Sequence, residues 1–310
     1  MQLTIVVPLY NEEESLPELV AWIDRVLTTY PLTHEIIMID DGSTDTSWMV
    51  IKQLKEKYPN VKGIRFRRNY GKSAALNTAF ELAQGEVVIT MDADLQDSPD
   101  EIPELYKLIK DEGYDIISGW KKNRHDPLTK TIPTKLYNWA TRKMSGIKLH
   151  DMNCGLKSYS GEVVKNIEVY GEMHRYIPII AKNVGFDKIG EKVVQHQARK
   201  YGVSKFGLSR FSRGLLDLMS ITFMAKFSKR PMHFFGSVGL ISGILGTLLL
   251  AILTVQKLCF DIPGIADRPL FFLGILLVIV GVQLFIAGFL AEMISRTTER
   301  RNEYGISETI

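Results

Sequence analysis

The chain has little cysteine. Cys154 and Cys259 are the only two among 310 residues, with no Cys-x-x-Cys spacing, which excludes a zinc ribbon or a disulfide-built scaffold. No Gly-x-Gly-x-x-Gly follows the first apolar run, and no Gly-x-x-x-x-Gly-Lys-Ser/Thr occurs anywhere. A dinucleotide fingerprint and a P-loop are therefore both missing. An excess of one charge is missing too: the net charge of +3 is too small to argue for nucleic acid. Met1 leads straight into a strand and an acidic turn, so no signal peptide is expected. Two stretches lack charge altogether. Phe234 to Val255 has no charged residue, and Leu270 to Leu290 has none either, with Gln283 its only strongly polar side chain. Each can cross a hydrocarbon core of roughly 30 Å. The sequence thus predicts two transmembrane helices, with Cys154 and Cys259 on opposite sides of the bilayer boundary.

What is present before about Arg230 is an alternation of strands and helices. Leu3 to Pro8, Glu35 to Ile39, Val61 to Phe66, Glu86 to Met91 and Asp115 to Ser118 read as strands. Between them lie helical stretches. Ser15-Leu16-Pro17-Glu18 has the form of a capping box with proline in the first turn. A stripe at Leu16, Leu19, Val20, Ile23, Val26 and Leu27 follows it. Asp45 to Tyr58 and Lys72 to Ala83 are the next two helices, and Gly85 stops the second. The expectation is an α/β domain with a mostly parallel, Rossmann-like sheet covered on both faces.

Chemistry collects at the strand ends. Pro8-Leu9-Tyr10-Asn11-Glu12 follows the first strand, Asp40-Asp41 the second and Arg67-Arg68-Asn69-Tyr70-Gly71-Lys72 the third. Asp92-Ala93-Asp94-Leu95-Gln96 follows the fourth. Open α/β sheets bind ligands at this carboxyl edge. Acids at i and i+2 project to one side of an extended chain. Asp92 and Asp94 can then share one Mg2+ or Mn2+, cations that take carboxylate, carbonyl and water ligands and often a substrate phosphate. A nucleotide here would be held by acids and an aromatic ring, with its diphosphate on the metal.

These segments, with Asp40-Asp41-Gly42-Ser43-Thr44-Asp45 and Met91 to Pro99, resemble family 2 glycosyltransferases. The nearer likeness is to dolichyl-phosphate mannosyltransferases and bacterial bactoprenol glucosyltransferases. The resemblance covers the soluble half and the paired C-terminal spans. It implies a GT-A fold, a nucleotide-sugar donor, a polyprenyl-phosphate acceptor, a divalent metal at Asp92, Asp94 and Gln96, and a tetramer. It further implies that Pro8, Tyr10, Glu12 and Asp40 or Asp41 hold the nucleoside, with Lys72 a further substrate contact. Arg199-Lys200-Tyr201-Gly202-Val203-Ser204-Lys205 resembles the family's Arg-x-x-Gly-x-Ser-Lys segment, which makes Arg199 and Lys205 phosphate contacts. Relatives often read Gly-x-Arg after the fifth strand. This chain reads Gly119-Trp120-Lys121-Lys122-Asn123-Arg124, leaving Lys121 and Arg124 as alternatives for the acceptor phosphate. The variant of the motifs favours uridine and glucose.

The implied reaction is an inverting displacement. A phosphomonoester is largely anionic near pH 7, its second pKa being about 6, so it needs little help from a base. Gly171-Glu172-Met173-His174-Arg175 lacks the Glu-Asp pair of relatives that glycosylate hydroxyls. Asp151 is either a base or a sugar-hydroxyl contact. A family 2 polysaccharide synthase is disfavoured by two spans and no Gln-x-x-Arg-Trp segment. A non-catalytic nucleotide-sugar-binding membrane subunit is a further alternative.

Leu128, Ile132, Leu136 and Trp139 recur at helical spacing among basic residues, as do Leu208, Phe211, Leu215, Leu218, Met219 and Phe223. Both stretches are expected to lie in the membrane interface. The expected organisation is a catalytic domain over 1–205 with an interfacial helix at 128–147. A juxtamembrane helix at 206–230, spans within 231–295 and a tail at 296–310 complete it. Lys226, Lys229 and Arg230 precede the spans and Arg296, Arg300 and Arg301 follow them. The positive-inside rule places both termini and the catalytic domain in the cytoplasm, at the inner or plasma membrane.

Overall fold

Short Val- and Ile-rich runs become the strands, and each amphipathic stripe turns onto them. The computed structural model describes residues 1–122, 141–142, 145–197, 200–201, 231–260, 268–297 and 306–309. The expected interfacial helix at 128–147 falls largely outside these residues, and that at 206–230 falls wholly outside. The chain divides into two compact units, Met1–Ile221 with Asn302–Ile310, and Thr222–Arg301.

In the first unit β1 (Leu3–Leu9), α1 (Leu16–Thr29), β2 (His34–Asp40), α2 (Ser47–Lys57), β3 (Val61–Phe66), α3 (Lys72–Leu82) and β4 (Val87–Thr90) follow in order. Then come α4 (Ile102–Lys110), β5 (Ile116–Trp120), β6 (Lys157–Ser160), α5 (Gly161–Asn166), α6 (Ile177–Asn183) and β7 (Ile189–Val193). The sheet order is β7-β5-β6-β4-β1-β2-β3-β8, where β8 is Ile306–Thr309. Strands β4-β1-β2-β3 run parallel. β6 is antiparallel to both β4 and β5, and β8 is antiparallel to β3. The sheet is therefore mixed, and the order reverses between β1 and β4. That reversal is where a crevice opens at the carboxyl edge.

Alternation along the strands explains the two-faced core. Leu3, Ile5, Val7, Ile36 and Met38 pack with α1, α2 and α4. Val6, Ile37 and Ile39 pack on the other face with α3, α5 and α6. All six stripe residues of α1 are buried. Pro8 sits in a central strand without harm, because the pairing with β4 ends at Val6 and its missing N–H faces no partner there.

Two local expectations differ. Ser15 stands at the start of α1 but does not cap it; its hydroxyl donates to the Glu12 carbonyl and carboxylate. Glu18 turns outward to Lys200 and Tyr201. The buried Ser15 is already helical in backbone, so its hydroxyl faces back along the loop. The helix expected from Asp45 begins at Ser47, because the Asp45 carboxylate accepts from Ser47 N and Glu13 N instead.

In the second unit α7 (Pro231–Phe260) and α8 (Pro269–Thr297) are long and apolar enough to cross a membrane, with mean hydropathies of 2.4 and 2.8. Their backbones meet through small residues: a Cβ on Gly239 would run into the Gly281 carbonyl oxygen, and one on Gly246 into that of Gly274. Close approach of this kind is how apolar helices associate in lipid.

Candidate active site

The four parallel strand ends are stitched together pairwise. After β1, Asn11 adopts a positive φ of 55°. Its N–H donates to Ser43 Oγ (2.9 Å), and its Oδ1 accepts from Thr44 N (2.9 Å). Glu12 N donates to Ser47 Oγ (3.0 Å). After β2, Asp40 is fully buried; Oδ1 accepts from Ser43 N (2.8 Å) and Oδ2 faces Arg65 Nε at 3.4 Å. Asp41 accepts from Tyr70 N (2.7 Å) and Gly71 N (2.9 Å), joining the ends of β2 and β3. Gly42 makes this possible, since at φ 73° a Cβ would strike the Arg68 backbone. Lys72, opening α3, forms an ion pair with Asp92 and so joins the ends of β3 and β4.

Burial raises the Asp41 carboxyl to about 6, with Asp40 pushing the same way against the two N–H donors. An acid with a raised folded pKa holds its proton in the fold longer than in the unfolded chain. Stability therefore falls as pH rises from about 4 to about 6 and levels off above. Asp41→Asn should flatten that component. Melting temperatures of the purified variant and wild type at pH 4.5 and 6.5 check this; an unchanged difference between the two pH values in the variant would refute it.

The motif at the end of β4 is a turn rather than an extended strand. Thr90 closes β4, and Leu95 has φ 60°. The left-handed region costs roughly 1–2 kcal/mol for such a residue. Leu95 is only 3% exposed, and full burial of a leucine is worth about 1.5–3 kcal/mol, enough to hold the turn. Asp94 Oδ1 accepts from Gln96 N at 3.2 Å, and Gln96 O accepts from Gln197 N at 3.0 Å. The expectation that spacing alone aligns Asp92 and Asp94 on an extended chain thus gives way to a turn at Ala93 and Asp94, followed by Leu95 and held to the 196–197 segment. Burial opposes the charge on Asp92, but the Lys72 ammonium outweighs it and holds the pKa at about 2.

A third acid of the run lies deeper. Asp97 is fully buried and paired with Lys121 Nζ at 2.7 Å. Burial pushes Asp97 up, Lys121 draws it down, and Asp92 and Asp94 add to the rise. Burial alone would lower Lys121, yet Asp97 carries it above the ordinary lysine value. Breaking a buried pair by removing one partner costs about 3–5 kcal/mol, so Lys121 braces the turn as well as carrying charge toward it. Asp151 is also internal: its carboxylate accepts from Asn153 N (3.1 Å) and its carbonyl from Ser118 Oγ (3.3 Å).

Pro8, Tyr10 and Glu12 are part-buried on the β1 side of this edge. The structure therefore brings together Asp40, Asp41, Lys72, Asp92, Asp94, Gln96 and Lys121. Arg124, Arg199 and Lys205 lie outside the described residues; Gln197, bonded to Gln96, precedes Arg199 by two positions in sequence. Among the described residues no group of three or more His, Cys, Asp or Glu is placed for a metal. The carboxylates of Asp92 and Asp94 and the Gln96 amide are by chemistry the hard oxygen donors that Mg2+ or Mn2+ takes alongside substrate oxygens and water.

Sequence reasoning missed Gly155. A Cβ there would lie under 3.0 Å from Cγ, Oδ1 and Oδ2 of Asp92, so the Asp92 carboxylate rests on bare backbone. It also passed over Asn11, Ser43, Asp97, Lys157, His174 and Arg175. The visible signal for the last two was a pair of basic residues in the Gly171–Arg175 segment, inspected only for acids.

A mixed sheet with acids at its switch-point edge is the GT-A-like architecture of nucleotide-sugar glycosyltransferases. The model of the family "Glycosyl transferase family 2" matches residues 4–167, and the chain belongs to that family. It is 39% identical over 307 residues to a dodecaprenyl-phosphate galacturonate synthase of Rhizobium johnstonii, covering 97% of this chain and 89% of that one. It is 34% identical over 294 residues to an undecaprenyl-phosphate 4-deoxy-4-formamido-L-arabinose transferase of Pseudomonas syringae, covering 94% and 85%. Glucosyl-3-phosphoglycerate synthase from Mycobacterium tuberculosis, solved with Mn2+, UDP-glucose and phosphoglyceric acid, shares the fold. Its TM-score is 0.56 at 17% identity, over 72% of this chain and 79% of that one.

Proposed function

We propose that the protein is an inverting glycosyltransferase that moves a sugar from a UDP-sugar to a polyprenyl phosphate at the cytoplasmic membrane face. The observation that carries this is the acid turn Asp92–Gln96 at the sheet's switch point, tied through Lys72 to the end of β3. The polyprenyl-phosphate relatives, matched over nearly the whole chain, support the acceptor. The glucose expected from sequence competes with the galacturonate and formamido-arabinose of their names.

Asp92, Asp94 and Gln96 would hold Mg2+ or Mn2+, which when bound supplies Lewis acidity to the leaving diphosphate. The chain's own groups do the rest. Tyr10, Glu12 and the Asp40–Asp41 loop shape the nucleoside side. Lys72 adds positive charge where the diphosphate would lie. Lys121, Arg124, Arg199 and Lys205 are candidates to hold the acceptor phosphate in line, its own charge making it the nucleophile. Ile306–Thr309 pairs with β3, so the chain returns to the catalytic unit after α7 and α8. An even number of spans requires that return and supports placing both termini on one side.

The purified protein, given radiolabelled UDP-sugars and undecaprenyl phosphate, should put label in the lipid phase, and EDTA should stop it. Long water-soluble polymer would point to a polysaccharide synthase. Nucleotide binding without product would point to a non-catalytic subunit. Turnover indifferent to EDTA would sink the metal assignment.

A further inference from the structure

β6 places one basic residue where a fold has little use for it. Lys157 stands opposite Thr90, the last residue of β4, and is 3% exposed. Its ammonium donates to the Cys154 carbonyl. Among the described residues no carboxylate forms an ion pair with it. Burying a cation without a carboxylate in direct contact is costly, and an apolar side chain would serve the sheet better.

Lys157 lines a cavity of about 20 Å3 with Lys72, Asn153, Gly155, His174 and Arg175. Asp92, held by Lys72, sits at its margin against Gly155. Asp92 and the buried Asp151 are the two acids whose charge reaches Lys157, against the three cations Lys72, Lys157 and Arg175. Arg175 meets Glu172 at 3.5 Å, but Glu172 is nearly half exposed and lies toward solvent. The Ser73 hydroxyl lies 3.0 Å from both the backbone N and Nδ1 of His174. It accepts from the first, and burial together with Lys72, Arg175 and Lys157 lowers the imidazole pKa well below the ordinary value, so the ring is neutral. The space holds about one water-sized group. It admits one oxygen of an anion and not a sugar ring.

We infer that this cavity receives an oxyanion of a substrate, and that the oxyanion is the carboxylate of a uronic acid carried by the nucleotide-sugar. Lys157 and Arg175 are the specificity-determining contacts, and Asn153 is a neutral donor beside them. This rests on the glycosyltransferase reading above. The donor is favoured over the acceptor phosphate because the cavity adjoins Asp92, the acid proposed to serve the donor diphosphate.

The test uses the full chain in nanodiscs with UDP-galacturonate, UDP-galactose and undecaprenyl phosphate. The two nucleotides differ only in carboxylate against hydroxymethyl. Wild type should prefer UDP-galacturonate in kcat/KM. Lys157→Met, which keeps length and removes charge, should cut that preference at least about tenfold with the KM for undecaprenyl phosphate unchanged. Arg175→Gln, at a less buried position, should shift it the same way. No preference in wild type, or one that survives both substitutions, overturns the inference. A raised acceptor KM with unaltered donor preference assigns the cavity to the lipid phosphate and overturns the carboxylate. Equilibrium dialysis of the two nucleotides reads the same preference without turnover. A failure of transfer alone would then sink the function, while a failure of the binding preference sinks the subsite.

Discussion

Asp94→Ala is expected to lower glycosyl transfer by about a thousandfold while the protein still folds and inserts into membranes. The two effects differ in size for a physical reason. Asp94 accepts a side-chain hydrogen bond from Gln96 N, and a bond of that kind is worth about 0.5–1.5 kcal/mol. As half of the proposed metal-holding pair it would serve the charge that builds on the leaving diphosphate, a contribution of several kcal/mol. Each tenfold in rate is about 1.36 kcal/mol. Transfer is read by label in the lipid phase, and Mn2+ affinity by electron paramagnetic resonance on the same sample. Full activity, or Mn2+ affinity equal to wild type, would remove Asp94 from the site.

Gly155→Ala should be nearly as damaging, although Gly155 bears no chemistry. The added methyl would meet the whole Asp92 carboxyl group. The backbone of 155–157 has little room to yield, because Gly155 O accepts from Thr90 Oγ1, Leu156 O accepts from Gly119 N, and β6 begins at Lys157 between β4 and β5. Asp92 must therefore swing away from Lys72. Overpacking of this kind costs about 1–3 kcal/mol in stability, and transfer should fall at least about a hundredfold with the acid displaced. The double variant Asp92→Ala with Gly155→Ala should regain the lost melting temperature, because the clash then has no partner. Additive losses in the double variant would show that Gly155 acts elsewhere.

The strand ends illustrate what could be read directly. Pro8 to Glu12, Asp40–Asp41, the segment ending in Lys72, and Asp92 to Gln96 were each visible as polar residues closing an apolar run. The sheet joins them through Asn11–Ser43, Asp41–Tyr70 and Lys72–Asp92. Spacing did less well within the last segment. An i, i+2 argument assumes extended chain, and the turn at Ala93 and Asp94 breaks it. Asp40 and Asp41 were legible as acids of the edge. Their use inside the fold, against Ser43, Arg65, Tyr70 and Gly71, was not. The 4-residue strand β6, holding a buried lysine, had no periodicity long enough to announce it.

By itself the sequence determined the class of fold, the two long apolar helices and the edge on which chemistry gathers. Those depend on local periodicity and on where apolar runs stop, and both are written along the chain. Tertiary structure alone decided which acid meets which base. It set Gly155 beneath Asp92, gave Lys121 to Asp97, and brought Lys157, His174 and Arg175 beside Lys72. Contacts between residues roughly twenty to a hundred positions apart come from strand order and register, which single-sequence patterns do not encode.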